Sequence, residues 1–478
     1  MTLPTRDNPT TNRRDTEEMQ ASFLYVLFIS SVAAIGGFLF GFDSGVINGT
    51  VSALGNAFNS NDIATGFNVA SVLLGCALGA LMAGPISNHF GRKPIMVVTA
   101  IIFAVSAFGS GISSSSGEFI FYRLLGGLGI GAASVLAPAY IAEVAPAAIR
   151  GRLATLQQLA IVLGLFAAFL SNYLIAESSG GAEAIWILDF AAWRWMFWVE
   201  LLPALLFLVG VIFIPESPRY LVAQGKVEQA RVIFRRISIG AEDQQIDEVK
   251  KSLQGDNKPS IMDLFIDNKK TIHPIIWIGI ALSVFQQFVG INVVFYYGAE
   301  LWQAAGYDES QALFINLIAG TTNIISTFIA IALVDKVGRK PLLLVGSVGM
   351  FISLGALTFI FGTGGLDEAG QLALSDTTGT IALVMANLFV VFFGLSWGPI
   401  VWVLLGEMFN NRIRGAALAV AASAQWLANF AITMTFPILL GSVGLAGAYG
   451  LYTVSALLSI FFVVKYIKET CGVRLEQM

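Results

Sequence analysis

The chain has 478 residues, 56% hydrophobic and only 12% charged, with a net charge of −4. A soluble domain carries roughly 25% charged residues, so composition alone excludes a water-soluble globular protein. Two cysteines and two histidines predict neither a disulfide framework nor a metal centre, and no cofactor or nucleic-acid partner is expected.

The first twenty residues are polar and of mixed charge, which predicts a disordered tail and not a cleaved signal. Twelve apolar segments follow, near Phe23–Thr50, Phe67–Ile86, Ile95–Ser113, Phe119–Tyr140, Leu153–Leu174, Trp195–Ile214, Ile275–Tyr296, Ala312–Val334, Leu342–Phe361, Ile381–Leu405, Ala416–Leu440 and Leu445–Ile467. Each is close to the ~20 residues that cross ~30 Å of hydrocarbon. A backbone in lipid must satisfy its own hydrogen bonds, so each segment is predicted to be a helix. Between the sixth and seventh, Val227, Ala230, Ile233, Phe234 and Ile237 fall at helical spacing within a polar stretch, which predicts short amphipathic helices. The Gly-, Thr- and Asp-rich stretch Gly364–Thr380 predicts an exposed connection.

Threading these segments through a bilayer places every one of the 27 cationic residues except Arg123 and Arg194 on one side. The positive-inside rule assigns that side, and both termini, to the cytoplasm. The sequence also repeats. Phe90-Gly91-Arg92-Lys93-Pro94 returns as Val337-Gly338-Arg339-Lys340-Pro341, and Glu143 with Ile149-Arg150-Gly151 returns as Glu407 with Ile413-Arg414-Gly415. Pro215-Glu216-Ser217 returns weakly as Lys468-Glu469-Thr470. The expected fold is therefore an all-α membrane protein of twelve transmembrane helices in two pseudo-symmetric six-helix halves, residues 23–214 and 272–467. A linker (215–271) joins them, with cytoplasmic tails at 1–22 and 468–478. Transporters often use such duplication, with the substrate held between the halves.

Asp43, Arg123 and Glu200 fall inside the first, fourth and sixth segments, at similar depth by a rise of about 1.5 Å per residue. Ionisable residues in a membrane span face the interior and pair. A carboxyl that exchanges an arginine for a proton would couple proton flow to transport; a permanent Asp–Arg lock between helices is the structural alternative. Amides and aromatics collect in the other segments: Gln158 in the fifth, Gln286, Gln287 and Asn292 in the seventh, Asn323 in the eighth, Trp397 in the tenth, and Gln425, Trp426 and Asn429 in the eleventh. Amides both donate and accept, and aromatic faces supply flat apolar walls, so the group suits a neutral polyhydroxylated ligand. Interhelical bonding remains the alternative for any one amide. The run Gly126-Gly127-Leu128-Gly129-Ile130-Gly131 lies within a span, where Gly127 and Gly131 permit close helix packing. No Gly-x4-Gly-Lys-Ser/Thr loop points to nucleotide-driven transport.

These features resemble the sugar porter family of the major facilitator superfamily, most closely in motif the bacterial sugar–proton symporters of glucose and xylose type. The resemblance spans nearly the whole chain. It rests on Arg123 with the Gly-rich run, Pro138-Ala139-Tyr140-Ile141-Ala142-Glu143, Arg150-Gly151-Arg152, Pro215-Glu216-Ser217-Pro218-Arg219, Gln286-Gln287, Asp335-Lys336-Val337-Gly338-Arg339-Lys340, and Gly406-Glu407 with Arg414-Gly415. By resemblance, Phe40, Gln158, Gln286, Gln287, Asn292, Tyr296, Asn323, Trp397, Gln425 and Trp426 bind the sugar. Asp43, with Arg123 and Glu200, is implied to couple the proton. Arg92, Glu143, Arg150, Glu216, Arg219, Asp335, Arg339, Glu407 and Arg414 are implied to form the cytoplasmic charge network that closes the inside of the outward-open state. Asn88 departs from the usual acid of the first Gly-Arg-Lys loop, and Leu165 replaces a glutamine of xylose symporters, which tilts the expectation towards a hexose.

The expected protein is no enzyme. It is a multi-pass transporter of the bacterial plasma membrane that imports a monosaccharide such as D-glucose by proton symport, with monosaccharide, protons and the lipid bilayer as its partners, working as a monomer. A passive uniporter and a non-transporting sugar receptor are the alternatives.

Overall fold

The computed structural model describes residues 9–146, 149–237, 242–255, 264–266, 271–366, 372–409 and 413–470. The terminal eight residues at each end, including Cys471, and the side chains of Arg150, Asp335 and Arg414 lie outside the described residues, as do parts of the expected linker.

The first half runs through α1 (Pro9–Val46), α2 (Val51–Phe58), α3 (Asp62–Phe90), α4 (Arg92–Ile112), α5 (Ser116–Val144), α6 (Arg150–Ser179), α7 (Ala192–Trp198) and α8 (Leu201–Phe213). The helix α1 begins at Pro9, inside the stretch that the sequence predicts to be a disordered tail. Next come the short helices α9 (Pro218–Ala223), α10 (Val227–Ile237) and α11 (Glu242–Gly255), then a two-residue hairpin of β1 (Phe265–Ile266) and β2 (Thr271–Ile272). Leu221, Val222, Ala230, Phe234 and Ile246 give these helices a small core of their own. The second half contains α12 (Pro274–Phe288), α13 (Ile291–Tyr296), α14 (Gly298–Ala304), α15 (Glu309–Val337), α16 (Arg339–Thr363), α17 (Asp376–Leu395), α18 (Trp397–Met408) and α19 (Arg414–Tyr466). Within the connection predicted at Gly364–Thr380, β3 (Gly365–Leu366) pairs with β4 (Leu372–Ala373).

Eleven of the described helical stretches are long and apolar enough to cross a membrane. The last of them, Ala416–Tyr466, has 51 residues, about 77 Å of helix at about 1.5 Å per residue, far more than ~30 Å of hydrocarbon requires. Gly444 breaks it with φ 68 and ψ −176. Both ends of α19 meet the same face: Ile413 follows Glu407 closely in the chain, while Thr470 donates to Glu407 and the backbone N of Arg339 donates to Glu469. The chain therefore reverses at Gly444, and α19 supplies the eleventh and twelfth spans.

The helices of the first half meet at backbone distance. A Cβ on Gly127 would strike the Val72 carbonyl oxygen and the Gly75 Cα, and one on Gly131 would strike the Cys76 carbonyl oxygen. Without a hydrophobic drive between helices in lipid, such close van der Waals packing is what holds them.

Two spans are interrupted, the seventh, which reads as one continuous helix, and the tenth, where the Gly and Pro of Ser396-Trp397-Gly398-Pro399 can break a helix. Gly290, at φ 86, separates α12 from α13, and Ser396 separates α17 from α18. Both breaks lie where the predicted ligand-binding residues cluster. Non-helical backbone is tolerated at membrane depth only where it is buried in protein or lines a cavity.

Candidate functional site

α1, α5 and the junction of α7 with α8 bring Asp43, Arg123 and Glu200 together. All three are at most 2% exposed. Arg123 Nη1 donates to Asp43 Oδ1 at 2.5 Å, and Nη2 donates to the Asp43 carbonyl at 3.4 Å. Glu200 interacts with both partners, and the Phe197 ring centroid lies 5.8 Å from the guanidinium carbon. Asp43 Oδ2, Arg123 Nε and Glu200 Oε2 are buried without a hydrogen-bond partner. Two carboxylates against one guanidinium would leave an uncompensated buried negative charge, which is costly; one proton on the cluster removes it.

The amides and aromatics form a chain across the second half. Gln286 Nε2 donates to the carbonyls of Trp397 at 2.8 Å and Gly398 at 3.2 Å, so α12 is tied to the first turn of α18. Gln287 Nε2 donates to Gln286 Oε1 at 3.2 Å, and Asn292 Nδ2 donates to Gln287 Oε1. Trp397 is fully buried, and its indole N–H donates to Ser347 at 2.9 Å. Ser459 in turn donates to Ser347. Asn429 Nδ2 donates to the Tyr296 hydroxyl at 3.4 Å. Asn323 lies against Gly394 in α17, and Gln425 Oε1 is buried without a partner. Gln158 is half-buried on α6. Phe40 of the first half meets Trp426 of the second with ring centroids 5.8 Å apart. Gln286, Gln287 and Asn292 are thus bonded to one another.

The charged loops define a basic face, and there the repeat becomes a duplicated structure. Arg92 Nη2 donates to Glu143 at 2.9 Å, and Arg339 Nη2 to Glu407 at 2.8 Å. Glu216 accepts from the backbone N–H groups of Arg92 and Lys93; Glu469 accepts from those of Arg339 and Lys340. Lys93 and Lys340 each donate to a carbonyl near the end of the last span of their half, Ile212 and Val464. Burial pushes the Glu216 carboxyl above the ordinary glutamate range, although three backbone N–H groups and Arg92 oppose the shift. These carboxylate pairs each stay within one half.

On the opposite, far face, hydrogen bonds join the two halves. Asn48 Nδ2 donates to the Phe295 carbonyl at 2.9 Å, and Asn316 Nδ2 donates to Asn48 Oδ1 at 2.8 Å. Ser52 donates to Glu300, Ser310 to Glu177, and the Ala182 backbone N–H to Glu309. The backbone of Gly66 packs against Met434. Asn48, Asn316, Ser347 and Ser459 escaped the sequence reading, because a lone Asn or Ser in a span has no distinguishing pattern. Glu469 was visible as the weak copy of Glu216.

A duplicated helical carrier with a buried ion pair and a polar band across its middle is a secondary membrane transporter. Residues 29–478 match the family described as "Sugar (and other) transporter", and the chain belongs to that family. It is 56% identical over 459 residues to the glucose transport protein of Synechocystis sp., covering 96% of this chain and 98% of that protein. It is 40% identical to the D-xylose-proton symporter of Escherichia coli K12, covering 95% of each. The E. coli xylose transporter XylE in a partially occluded inward open conformation matches with TM-score 0.81 at 38% identity, covering 94% of this chain and 99% of that one. The same major facilitator symporter bound to 6-bromo-6-deoxy-D-glucose matches with TM-score 0.77, covering 95% and 98%.

Proposed function

We propose that this protein imports D-glucose or a related hexose together with a proton, by alternating access. The observation that carries the reading is the buried Asp43–Arg123–Glu200 cluster, two carboxyls against one guanidinium with an orphaned oxygen on each carboxyl. Protonation of Asp43 weakens its hold on Arg123, and loss of the proton restores it. Binding of sugar by Gln158, Gln286, Gln287, Asn292, Asn323, Trp397, Gln425 and Tyr296, with Phe40 and Trp426 as apolar walls, draws the halves together. A neutral ligand suits the band, since the charges of the interior already pair with one another. The identity to a glucose transport protein and to a xylose–proton symporter supports both halves of this reading, and Leu165 in place of a glutamine favours the hexose.

The basic face is assigned to the cytoplasm of a bacterial plasma membrane, with both termini inside and the monomer as the working unit. Residues 23–214 and 272–467 rock about the sugar. In the outward-facing state the charged groups of the basic face, Arg92, Glu143, Arg150, Glu216, Arg219, Asp335, Arg339, Glu407 and Arg414, hold the inside closed.

The test is labelled glucose uptake into proteoliposomes with and without an inward proton gradient, beside equilibrium counterflow. Wild type accumulates glucose when the gradient is applied. Asp43→Asn loses accumulation and keeps counterflow. Equilibration without accumulation in wild type would mean a uniporter with a structural Asp43–Arg123 lock.

A further inference from the structure

The connection between α6 and α7, on the far face, carries features that transport does not use. Leu188 and Asp189 are consecutive left-handed residues, with φ of 55 and 59. A bulky leucine rarely takes this conformation. It is held by hydrogen bonds from the Trp186 N–H to the Phe190 carbonyl at 2.9 Å and from the Phe190 N–H to the Ile187 carbonyl at 3.2 Å. The strained turn turns apolar side chains outward: Leu188 is 75% exposed and Ile185 67%.

The surroundings identify the lipid side. Phe108, 51% exposed on α4, stacks on Trp198. Trp198 contacts Phe190 and Trp195, and Trp195 contacts Trp186, each at ring-centroid distances of 5.0–6.1 Å. This continuous aromatic run leads from the lipid-facing flank of the spans into the loop. Tryptophans at this level belong to the membrane–water interface.

Against the loop lies a cavity of about 550 Å³ whose lining includes Ile112, Glu183, Ile185, Asp189, Trp193 and Arg194. Arg194 donates through Nη1 to the carbonyls of Gly111 and Ser113 and stacks 4.4 Å from the Trp193 ring centroid. The cavity holds a fixed cation and two carboxylates. A ligand of single sign would meet its own charge there. A zwitterion satisfies both, with its phosphate on Arg194 and its ammonium on Asp189 and Glu183.

We propose that Ile185–Phe190 seats in the bilayer leaflet at the far face, and that the adjoining cavity binds the headgroup of a zwitterionic phospholipid.

Two measurements test this on transport-active, full-length protein. The first places an environment-sensitive fluorophore at Leu188→Cys in a Cys471→Ser background, with Asp376→Cys as the exposed far-face control; Cys76 is buried and stays unlabelled. In liposomes the label at 188 is quenched by spin-labelled lipid and shielded from iodide, and the label at 376 is the reverse. Equal iodide quenching at both positions overturns the seating. The second measures retained lipid by native mass spectrometry. Arg194→Gln and Asp189→Asn each reduce retained phosphatidylethanolamine by about tenfold, the loss of one charge-assisted contact, and Asp189→Asn does not reduce phosphatidylglycerol, which has no ammonium. Equal loss of both lipids on Asp189→Asn, or retention of phosphatidylethanolamine by both variants, overturns the headgroup assignment.

Discussion

Glu216 shows what one buried carboxylate costs and does at the basic face. Its pKa lies above the ordinary glutamate value because burial outweighs the N–H groups it accepts from. A group whose folded pKa is raised contributes stability below its unfolded pKa and loses it as pH rises through the folded value. Glu216→Gln lacks this loss, so its melting temperature relative to wild type is expected to climb as pH rises from about 4.5; thermal unfolding in detergent across that window checks it, and a flat difference refutes it. At Trp397 the relevant partner is Ser347. Ser347→Ala orphans a fully buried indole N–H, and is expected to cost about 1–3 kcal/mol of stability, read as a fall in melting temperature that Ser347→Thr largely avoids. Trp397 was visible in the sequence as an aromatic of the tenth segment. Its depth and its hydroxyl partner were not visible, because they depend on α16 and α19, which lie far away in the chain.

At the scale of the element, the broken seventh span is the informative case. The residues Phe285 to Tyr297 read as one apolar helix, since hydropathy does not register a single backbone angle. Gly290 at φ 86 interrupts it, and a Cβ there would lie 2.6 Å from Cδ2 of the Tyr452 ring. Gly290→Ala therefore meets a backbone penalty of about 1–2 kcal/mol and a steric one as well. Such a variant is expected to lose both thermal stability and glucose counterflow. Retained counterflow would mean that the break does not serve binding. The paired amides just before the break were legible as chemistry; that Gln286 spends its N–H groups on the first turn of α18 was not.

For the whole molecule, the halves are hydrogen-bonded to each other on the far face, and on the basic face the Arg92–Glu143 and Arg339–Glu407 pairs each lie within one half. Asn48 is a buried bridge between the halves at the far face, giving one bond to Phe295 and taking one from Asn316. Asn48→Ala strands both buried partners, at a cost of about 1–3 kcal/mol to this state. The population should shift towards the far-open state by roughly 5- to 150-fold. Distances between spin labels on the two halves at the far face should then lengthen; an unchanged distribution would remove Asn48 from the gate.

The sequence by itself determined the class of protein. Membrane spans, the sidedness of charge and the duplicated motifs are properties of composition and order, because a bilayer selects on the total apolarity of ~20-residue segments and on the placement of cations around them. It also marked Asp43, Arg123 and Glu200, since a charge in a span is conspicuous at any depth. Only the tertiary structure decided which groups meet. Arg92 with Glu143, the copy of that pair at Arg339 and Glu407, the latch at Asn48, and the turn at Leu188 all depend on how helices distant in sequence pack. That packing is set by backbone approach and hydrogen-bond geometry between helices, which no one-dimensional pattern records.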